Sequence, residues 1–406
     1  MKTDKLHVGY AQDVITPSMD RTVYLAGFGH NRQARSIHDD LTVRALALAL
    51  GATRLVIAVM DLIGLSRHHC LEIARNVNAQ VPDTHVLLVS THTHHGPDTL
   101  GLWGRNMFRS GIDPLYMEAL KATVSRTAVT ALQHLEPARL TSAATHVSGV
   151  AKNARDPAIV DNELTCLHFT HRDTDAPLAT VAIFPCHPEV LWNQNTAITA
   201  DYPAYLRRFL EGYTHAPALF LPGAIGGMMT PDVERHTFDE AQRIGNTLAE
   251  SAYQALCAAV PQEITHLWYR RTTYQVPLTN PLFKLARTLG VLPREAVSGQ
   301  VVTTEASLLA LDSTLLMSAP GEALPRLGLR AKAMLQEAGA QVAAVIGLAN
   351  DELGYILPAE DFVYPRNPFR PGDHYEETMA LSKEAGPALL RAWQALLADY
   401  QASQTT

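Results

Sequence analysis

The chain has few cysteines and no cluster of them. Its 406 residues include only four, which are far apart and form no Cys-x-x-Cys pair: Cys70, Cys166, Cys186 and Cys257. This pattern favours small buried thiols in a reducing compartment over a disulfide framework. No apolar run reaches the roughly 18 residues of a membrane span, and the first residues lack the apolar core of a secretory signal. We therefore expect a cytoplasmic, bacterial-type protein without a transmembrane segment.

Positive charge is also scarce. Lys and Arg total 33 against 40 Asp and Glu, the formal net charge is -7, and no extended run of Lys or Arg occurs. These values argue against a surface for nucleic acid or anionic membranes. Hydrophobic residues make up 47% of the chain, which is enough for a sizeable core. The expected partner is a small molecule, and a homo-oligomer is compatible with the sequence.

A unit of buried strand, polar loop and helix recurs along the chain. We predict such strands at 55–60, 86–90, 178–184, 218–221, 307–317 and 342–346, and a strand of antiparallel character at 264–279. The pattern predicts an α/β fold with mixed β-sheets flanked by helices, and ligands in such folds bind on loops at strand ends. No linker divides the chain, so we predict a single domain over 1–406.

Other segments carry weaker signals. Residues 7–29 are predicted to be irregular, 281–304 fit no element, and the final helix is predicted over about 375–400. Two stretches are predicted to be long loops that shape a binding pocket, namely the glycine-rich 99–113 and the proline-rich 356–374.

Histidines follow one of the predicted strands. In the sequence Val86-Leu-Leu-Val-Ser-Thr-His-Thr-His-His-Gly-Pro97, three histidines occur within four positions, one residue after the predicted strand 86–90. On an extended backbone His92 and His94 would point to one side and His95 to the other. Two imidazoles on one side can bind a transition metal together, or one can bind it while the other transfers protons. Both possibilities stay open at this point.

Polar side chains occur at other strand ends as well. These are His187, Asp201, Glu322 and Tyr355. Two histidines and a carboxylate from separate strands suit a hydrolytic zinc site with an open position, although each residue alone also has a structural explanation. A barrel of eight parallel strands is a rival arrangement. It is disfavoured because a buried strand precedes the histidine motif and because 264–279 has antiparallel character.

Five segments in order resemble the catalytic domain of the neutral/alkaline ceramidase family. They are Ser90-Thr-His-Thr-His-His-Gly-Pro97, Phe184-Pro-Cys-His187 with Asp201-Tyr-Pro203, Ala319-Pro-Gly-Glu322, Asn350-Asp-Glu-Leu-Gly-Tyr355 and His374-Tyr375-Glu376. The resemblance spans nearly the whole chain. It implies a layered αββα sandwich with the active site on loops at strand ends.

The resemblance also implies roles for individual residues. His92, His187, Glu322 and Tyr355 would bind one catalytic zinc ion, and a water would fill the open position. His94 would act as general base and then as general acid. Tyr375 and Arg155 would stabilise the oxyanion of the tetrahedral intermediate.

The sequence departs from the family pattern in three places. A serine of the family is His95 here, which is either a solvated loop residue or a substrate contact. The family's Gly-Asp-x-Ser-Pro loop is Gly226-Gly-Met-Met-Thr-Pro231, from which we predict substrate contacts by Gly227, Met229 and Thr230. Thr230 is a candidate hydrogen-bond donor rather than a nucleophile. The family's C-terminal immunoglobulin-like domain is expected to be absent.

Three functions are compatible with these features. The favoured one is zinc-dependent hydrolysis of amide or ester bonds in a soluble acyl substrate smaller than ceramide. A true ceramidase is the second, since Trp103, Met107, Phe108, Met228 and Met229 are candidates for an apolar pocket. The third is a non-catalytic binding protein on the same fold, which the altered 226–231 loop permits.

Overall fold

The computed structural model describes residues 3–288, 297–298, 300–368 and 372–404. Within these residues there are eight α-helices: α1 Arg67–Gln80, α2 Pro114–Gln133, α3 Tyr202–Thr214, α4 Phe238–Ala258, α5 Pro281–Thr288, α6 Pro325–Glu337, α7 Tyr375–Thr378 and α8 Ala385–Gln404. The same described residues contain nineteen strands: β1 Thr3–Val14, β2 Ser36–Ile37, β3 Thr42–Gly51, β4 Thr53–Met60, β5 His85–Ser90, β6 Glu136–His146, β7 Ala151–Asn153, β8 Glu163–His171, β9 Pro177–Phe184, β10 Ala197–Ile198, β11 Ala218–Pro222, β12 Met229–Pro231, β13 Leu267–Pro277, β14 Val297–Ser298, β15 Val301–Leu311, β16 Thr314–Ser318, β17 Glu322–Ala323, β18 Val342–Ile346 and β19 Tyr355–Ile356.

The larger sheet has eight strands in the order β11-β9-β8-β6-β1-β3-β4-β5. Only the outermost pairs, β11 with β9 and β4 with β5, are parallel, and the strands between them run antiparallel. The sheet is open, because β11 and β5 are its two edges among the described strands. The two histidine-bearing strand ends belong to β5 at one edge and β9 near the other.

A second sheet has the order β13-β15-β16-β18, with β14 added against β15. β13 pairs with β15 antiparallel over its whole length, which confirms the antiparallel character predicted for 264–279. The stretch 307–317, predicted as one strand, is instead a hairpin, since β15 ends at Leu311 and Asp312 has a φ of 48°. A residue with positive φ cannot continue an extended strand.

The two sheets pack face to face, and helices cover their outer faces. Leu46 and Ile57 of the large sheet share one apolar core with Leu309, Leu316 and Ile346 of the second sheet. Helices α1 and α2 pack on the outer face of the large sheet at its β5 end, and α3 and α4 at its β11 end. Helices α6 and α8 cover the second sheet. This is the predicted α/β fold with an αββα layering.

Two further predictions about elements are wrong. Residues 7–29 do not form an irregular segment throughout, since β1 runs to Val14 and pairs with β3. The alternation of buried Leu6 and Val8 is the sequence signal for that strand. The final helix is interrupted between α7 and α8, because Pro387 fits only the first turn of a helix. Much of 281–304 lies outside the described residues.

None of the described helices is long and apolar enough to span a membrane.

Candidate metal centre

Three buried histidines converge where β5 and β9 end. Ring nitrogens of His92, His94 and His187 all lie within 4.8 Å of one another, and these groups could hold a metal ion. The ring centroid of His92 is 5.0 Å from that of His94 and 5.0 Å from that of His187. The side chains of His92 and His94 therefore point to the same side of the chain, as predicted, and meet His187 there.

The backbone reaches this arrangement by a turn and not by the extended chain that we predicted. β5 ends at Ser90, the Thr91 N–H donates to the Met60 carbonyl, and His92 has a φ of 70°. Because a bulky residue at positive φ is costly, neighbouring contacts must hold it. One of them is the His92 side chain itself, whose Nδ1 lies 2.5 Å from the Ile63 carbonyl oxygen.

His187 is anchored in the same manner. Its Nδ1 lies 2.9 Å from the Met229 carbonyl oxygen, and its Nε2 lies 3.0 Å from Oε2 of Glu322. Burial pulls the pKa of His187 down. The hydrogen bond and charge of Glu322, with the charge of Glu189, outweigh that effect and raise the pKa to about 9.

Glu322 and Tyr355 come from a two-strand pair formed by β17 and β19. Glu322 is directly opposite Tyr355 in this parallel pair, which fixes both side chains on one side. Oε1 of Glu322 lies 3.7 Å from Nε2 of His92. Burial and the nearby Glu322 raise the pKa of the Tyr355 phenol well above its usual value, so the phenol is neutral near pH 7.

These residues fit a metal. Nδ1–H of each anchored histidine is donated to a backbone carbonyl, so the metal-binding atom of each ring is the Nε2 beside Glu322. Nε2 of His92 has a free lone pair near pH 7, and Nε2 of His187 gains one when its proton leaves. Carbonyl acceptors of this kind fix the tautomer and ring orientation of metal-binding histidines. Two imidazole nitrogens, a carboxylate and a phenol oxygen form a donor set that zinc accepts.

His94 contacts a carboxylate that sequence reasoning missed. Oε2 of the fully buried Glu189 lies 3.3 Å from Nδ1 of His94. Burial and the neighbouring histidines His92 and His187 lower the pKa of His94 well below its usual value, while burial raises that of Glu189. Glu189 follows His187 by two positions, and a carboxylate so close to a predicted ligand was the available signal.

His95 lies on the opposite side of the turn. It is fully buried, so it is not the solvated loop residue that we considered. Its Nε2 is 3.4 Å from Oδ2 of Asp201, and its Nδ1 is 3.1 Å from the amide nitrogen of Asn195. Asp201 in turn accepts from the backbone N–H groups of Val190 and Leu191. His95 and Asp201 thus connect the histidine motif to the segment after His187.

The two predicted oxyanion-stabilising residues have different surroundings. Tyr375 is 45% exposed and its ring centroid lies 6.0 Å from that of Tyr355. Burial of the phenol and the charge of Glu322 raise its pKa to about 12, so it keeps its proton. Arg155 binds Glu376 at 2.8 Å and Glu377 at 2.8 and 3.0 Å, which connects it to α7. Its guanidinium therefore already forms ion pairs within the protein.

The 226–231 loop supports His187. The Met229 side chain is fully buried while its carbonyl holds the imidazole, and the Thr230 hydroxyl lies beside Glu189 and lowers its pKa. Gly227 has a φ of 65° and accepts from the Arg155 N–H at 3.4 Å. The three predicted substrate contacts are not on the wall of the cavity described next.

A cavity of about 340 Å³ opens onto the metal centre. His92, His94, Glu322, Tyr355 and Tyr375 line it on one side. The remaining wall is largely apolar and includes Leu100, Leu102, Trp103, Ile112, Leu278, Phe283, Val302, Leu353, Met379 and Leu381. The 99–113 segment shapes the cavity as predicted, whereas no described residue of 356–374 lines it.

Comparisons with known proteins agree with this geometry. The family model for neutral/alkaline non-lysosomal ceramidase, N-terminal, matches residues 6–221. The neutral ceramidase of Pseudomonas aeruginosa has a similar fold, with a TM-score of 0.79 and 18% identity over 98% of this chain and 75% of that one. A structure titled "Ceramidase complexed with C2" gives a TM-score of 0.79 and 18% identity over 99% and 75%. No curated protein sequence matches the chain. The chain belongs to the neutral/alkaline non-lysosomal ceramidase family and is a ceramidase-like hydrolase.

Proposed function

We propose that the chain hydrolyses amide or ester bonds of an acyl substrate smaller than ceramide, with a zinc ion held by His92, His187, Glu322 and Tyr355. One observation carries this proposal. Two buried imidazoles are anchored through Nδ1 and present Nε2 to the same carboxylate. A zinc ion bound there would supply Lewis acidity to a water and to the substrate carbonyl.

The chain's own residues would then handle protons and charge. His94 is poised with Nδ1 towards Glu189, which leaves Nε2 to accept a proton from the attacking water and return it to the leaving group. The low pKa of His94 keeps it neutral and able to accept. Tyr375, whose phenol keeps its proton, would donate a hydrogen bond to the developing oxyanion. Arg155 would assist by holding α7, and this amends the direct role expected of it.

The cavity supports a small substrate. Its volume of about 340 Å³ is at the lower end of the range of roughly 300–1,000 Å³ for small-molecule sites. Its apolar wall and the family membership keep ceramide as the second candidate. The cytoplasmic location and homo-oligomer remain predictions.

The test combines metal analysis with a substrate panel. The purified protein is assayed with short-chain esters, lactones, N-acyl amino acids and N-acyl sphingosine, before and after chelation and after addition of zinc. We expect turnover of the smaller substrates that chelation abolishes and zinc restores. Turnover confined to N-acyl sphingosine would overturn the proposed substrate size, and a protein that binds no metal would favour the non-catalytic alternative.

A further inference from the structure

The cavity beside the metal centre contains a carboxylate that no described group neutralises. Glu352 lines this cavity, and its Oε1 accepts from the Gly354 N–H at 3.0 Å. Its other oxygen, Oε2, is buried and has no hydrogen-bond partner among the described residues. Burial and the charges of Glu322 and Asp351 raise the pKa of Glu352 well above its usual value, so the group keeps its proton when no cation is beside it. A cation placed at Oε2 would favour the carboxylate and satisfy the oxygen that lacks a partner.

The side chain is held in this place by packing. The stem of Glu352 lies on Gly64, where an added Cβ would come within 2.8 Å of the Glu352 Cγ. Gly64 follows Ile63, whose carbonyl anchors His92. The carboxylate is thus fixed relative to the metal centre through two neighbouring backbone contacts.

The described wall of the cavity offers Glu352 no permanent cation. The described lining residues of the cavity include no Lys or Arg. The neighbouring Asp351 already accepts from the backbone N–H groups of Arg67 and Glu352 and from the Thr304 hydroxyl. His69 is also in the lining, and burial lowers its pKa to about 4, which leaves it neutral near pH 7.

We propose that the substrate carries an ammonium group that binds Glu352 while an apolar arm fills the rest of the cavity. This inference rests on the proposed hydrolysis and specifies its substrate class as acylated amines or amino esters with a free ammonium. In the reaction, the water oxygen bonds to the acyl carbon, the carbon–nitrogen or carbon–oxygen bond breaks, and the water's protons pass to the leaving group and solvent.

The test separates binding from turnover. Calorimetry measures the affinity of hexylammonium, 1-hexanol and hexanoate for the metal-loaded protein and for Glu352→Gln. We expect the protein to prefer the ammonium over the alcohol by about tenfold or more, as a charge-assisted hydrogen bond would give. In Glu352→Gln, which keeps an acceptor for the Gly354 N–H, that ratio should fall to near one. The variant should be about as stable, because glutamine replaces a buried acid that keeps its proton when no cation is bound.

Glu360→Gln is the matched control, because Glu360 is paired with Arg330 away from the cavity, and it should keep the preference. Hydrolysis of N-acetyl-1,6-diaminohexane and N-acetylhexylamine is measured in parallel. Chelator-sensitive turnover without a preference for the ammonium would overturn this inference and leave the proposed function intact. Selective ammonium binding with no turnover of any substrate would support the binding role of Glu352 and overturn the proposed hydrolysis. A preference that survives in Glu352→Gln would also overturn the inference.

Discussion

Metal binding by this chain should release a proton from His187. In the metal-free site Glu322 holds that proton in place, and the pKa of His187 is about 9. A metal can bind Nε2 only after the proton has left. The pKa of His92, which burial lowers to about 4, makes that imidazole neutral across the neutral range, so it contributes no proton.

The size of the effect follows from the two pKa values. Below the pKa of His187 the apparent metal affinity rises about tenfold per pH unit, because the proton competes with the metal. From about pH 6.5 to about pH 8.5 a group with a pKa of about 9 gives a gain of about 75-fold, whereas an ordinary histidine gives about twofold. At about pH 7 close to one proton should leave per ion bound.

The assay is competition with a chelator of known pH dependence, together with calorimetry in two buffers of different ionisation enthalpy. Tyr355→Phe is measured alongside, because a phenol that ionised on metal binding would release a second proton. Glu322→Gln removes the hydrogen bond and the charge of Glu322 and leaves only Glu189 and the Met229 carbonyl to oppose burial, so the pKa of His187 should fall. The gain in metal affinity with pH should then become smaller, even though the affinity itself falls. A flat affinity between these pH values, or a slope unchanged in Glu322→Gln, would refute the reasoning.

Four substitutions test the site further. His92→Ala should lower metal affinity tenfold or more, with a modest change in the midpoint of thermal unfolding. His94→Ala should keep the metal and lower kcat by about 10²–10⁴. If His94→Ala released the metal instead, the roles of ligand and general base would be reversed. Glu189→Gln should lower kcat about 10–100-fold at unchanged KM and metal content, and a change in KM alone would contradict a role through His94. Gly27→Ala should lower the free energy of unfolding by about 1–3 kcal/mol and remove most of the activity. The reason is that Gly27 has a φ of 95° and an added Cβ would lie 2.3 Å from Cγ of His94. Gly29→Ala is the control, since its Cβ would meet nothing within 4 Å.

Local patterns predicted much of the framework. Helix α4 begins after Thr237, whose hydroxyl accepts from the Glu240 N–H as the capping sequence indicates. The apolar runs around Leu55–Met60 and Val86–Ser90 became the parallel pair β4 and β5. These signals are readable because strand alternation and helix caps depend on neighbours within a few positions of the chain.

The residue types in the motifs were sufficient to assign the family and to predict that His92, His187 and Glu322 meet. How they meet was decided by tertiary structure, because it depends on contacts between positions far apart in sequence. The left-handed turn at His92 is held by carbonyls of the loop that follows β4, and Glu189 matters because it lies against His94. Oε2 of Glu352 draws attention because it has no hydrogen-bond partner among the described residues. A side chain's partners, and therefore its charge state, are properties of the folded arrangement.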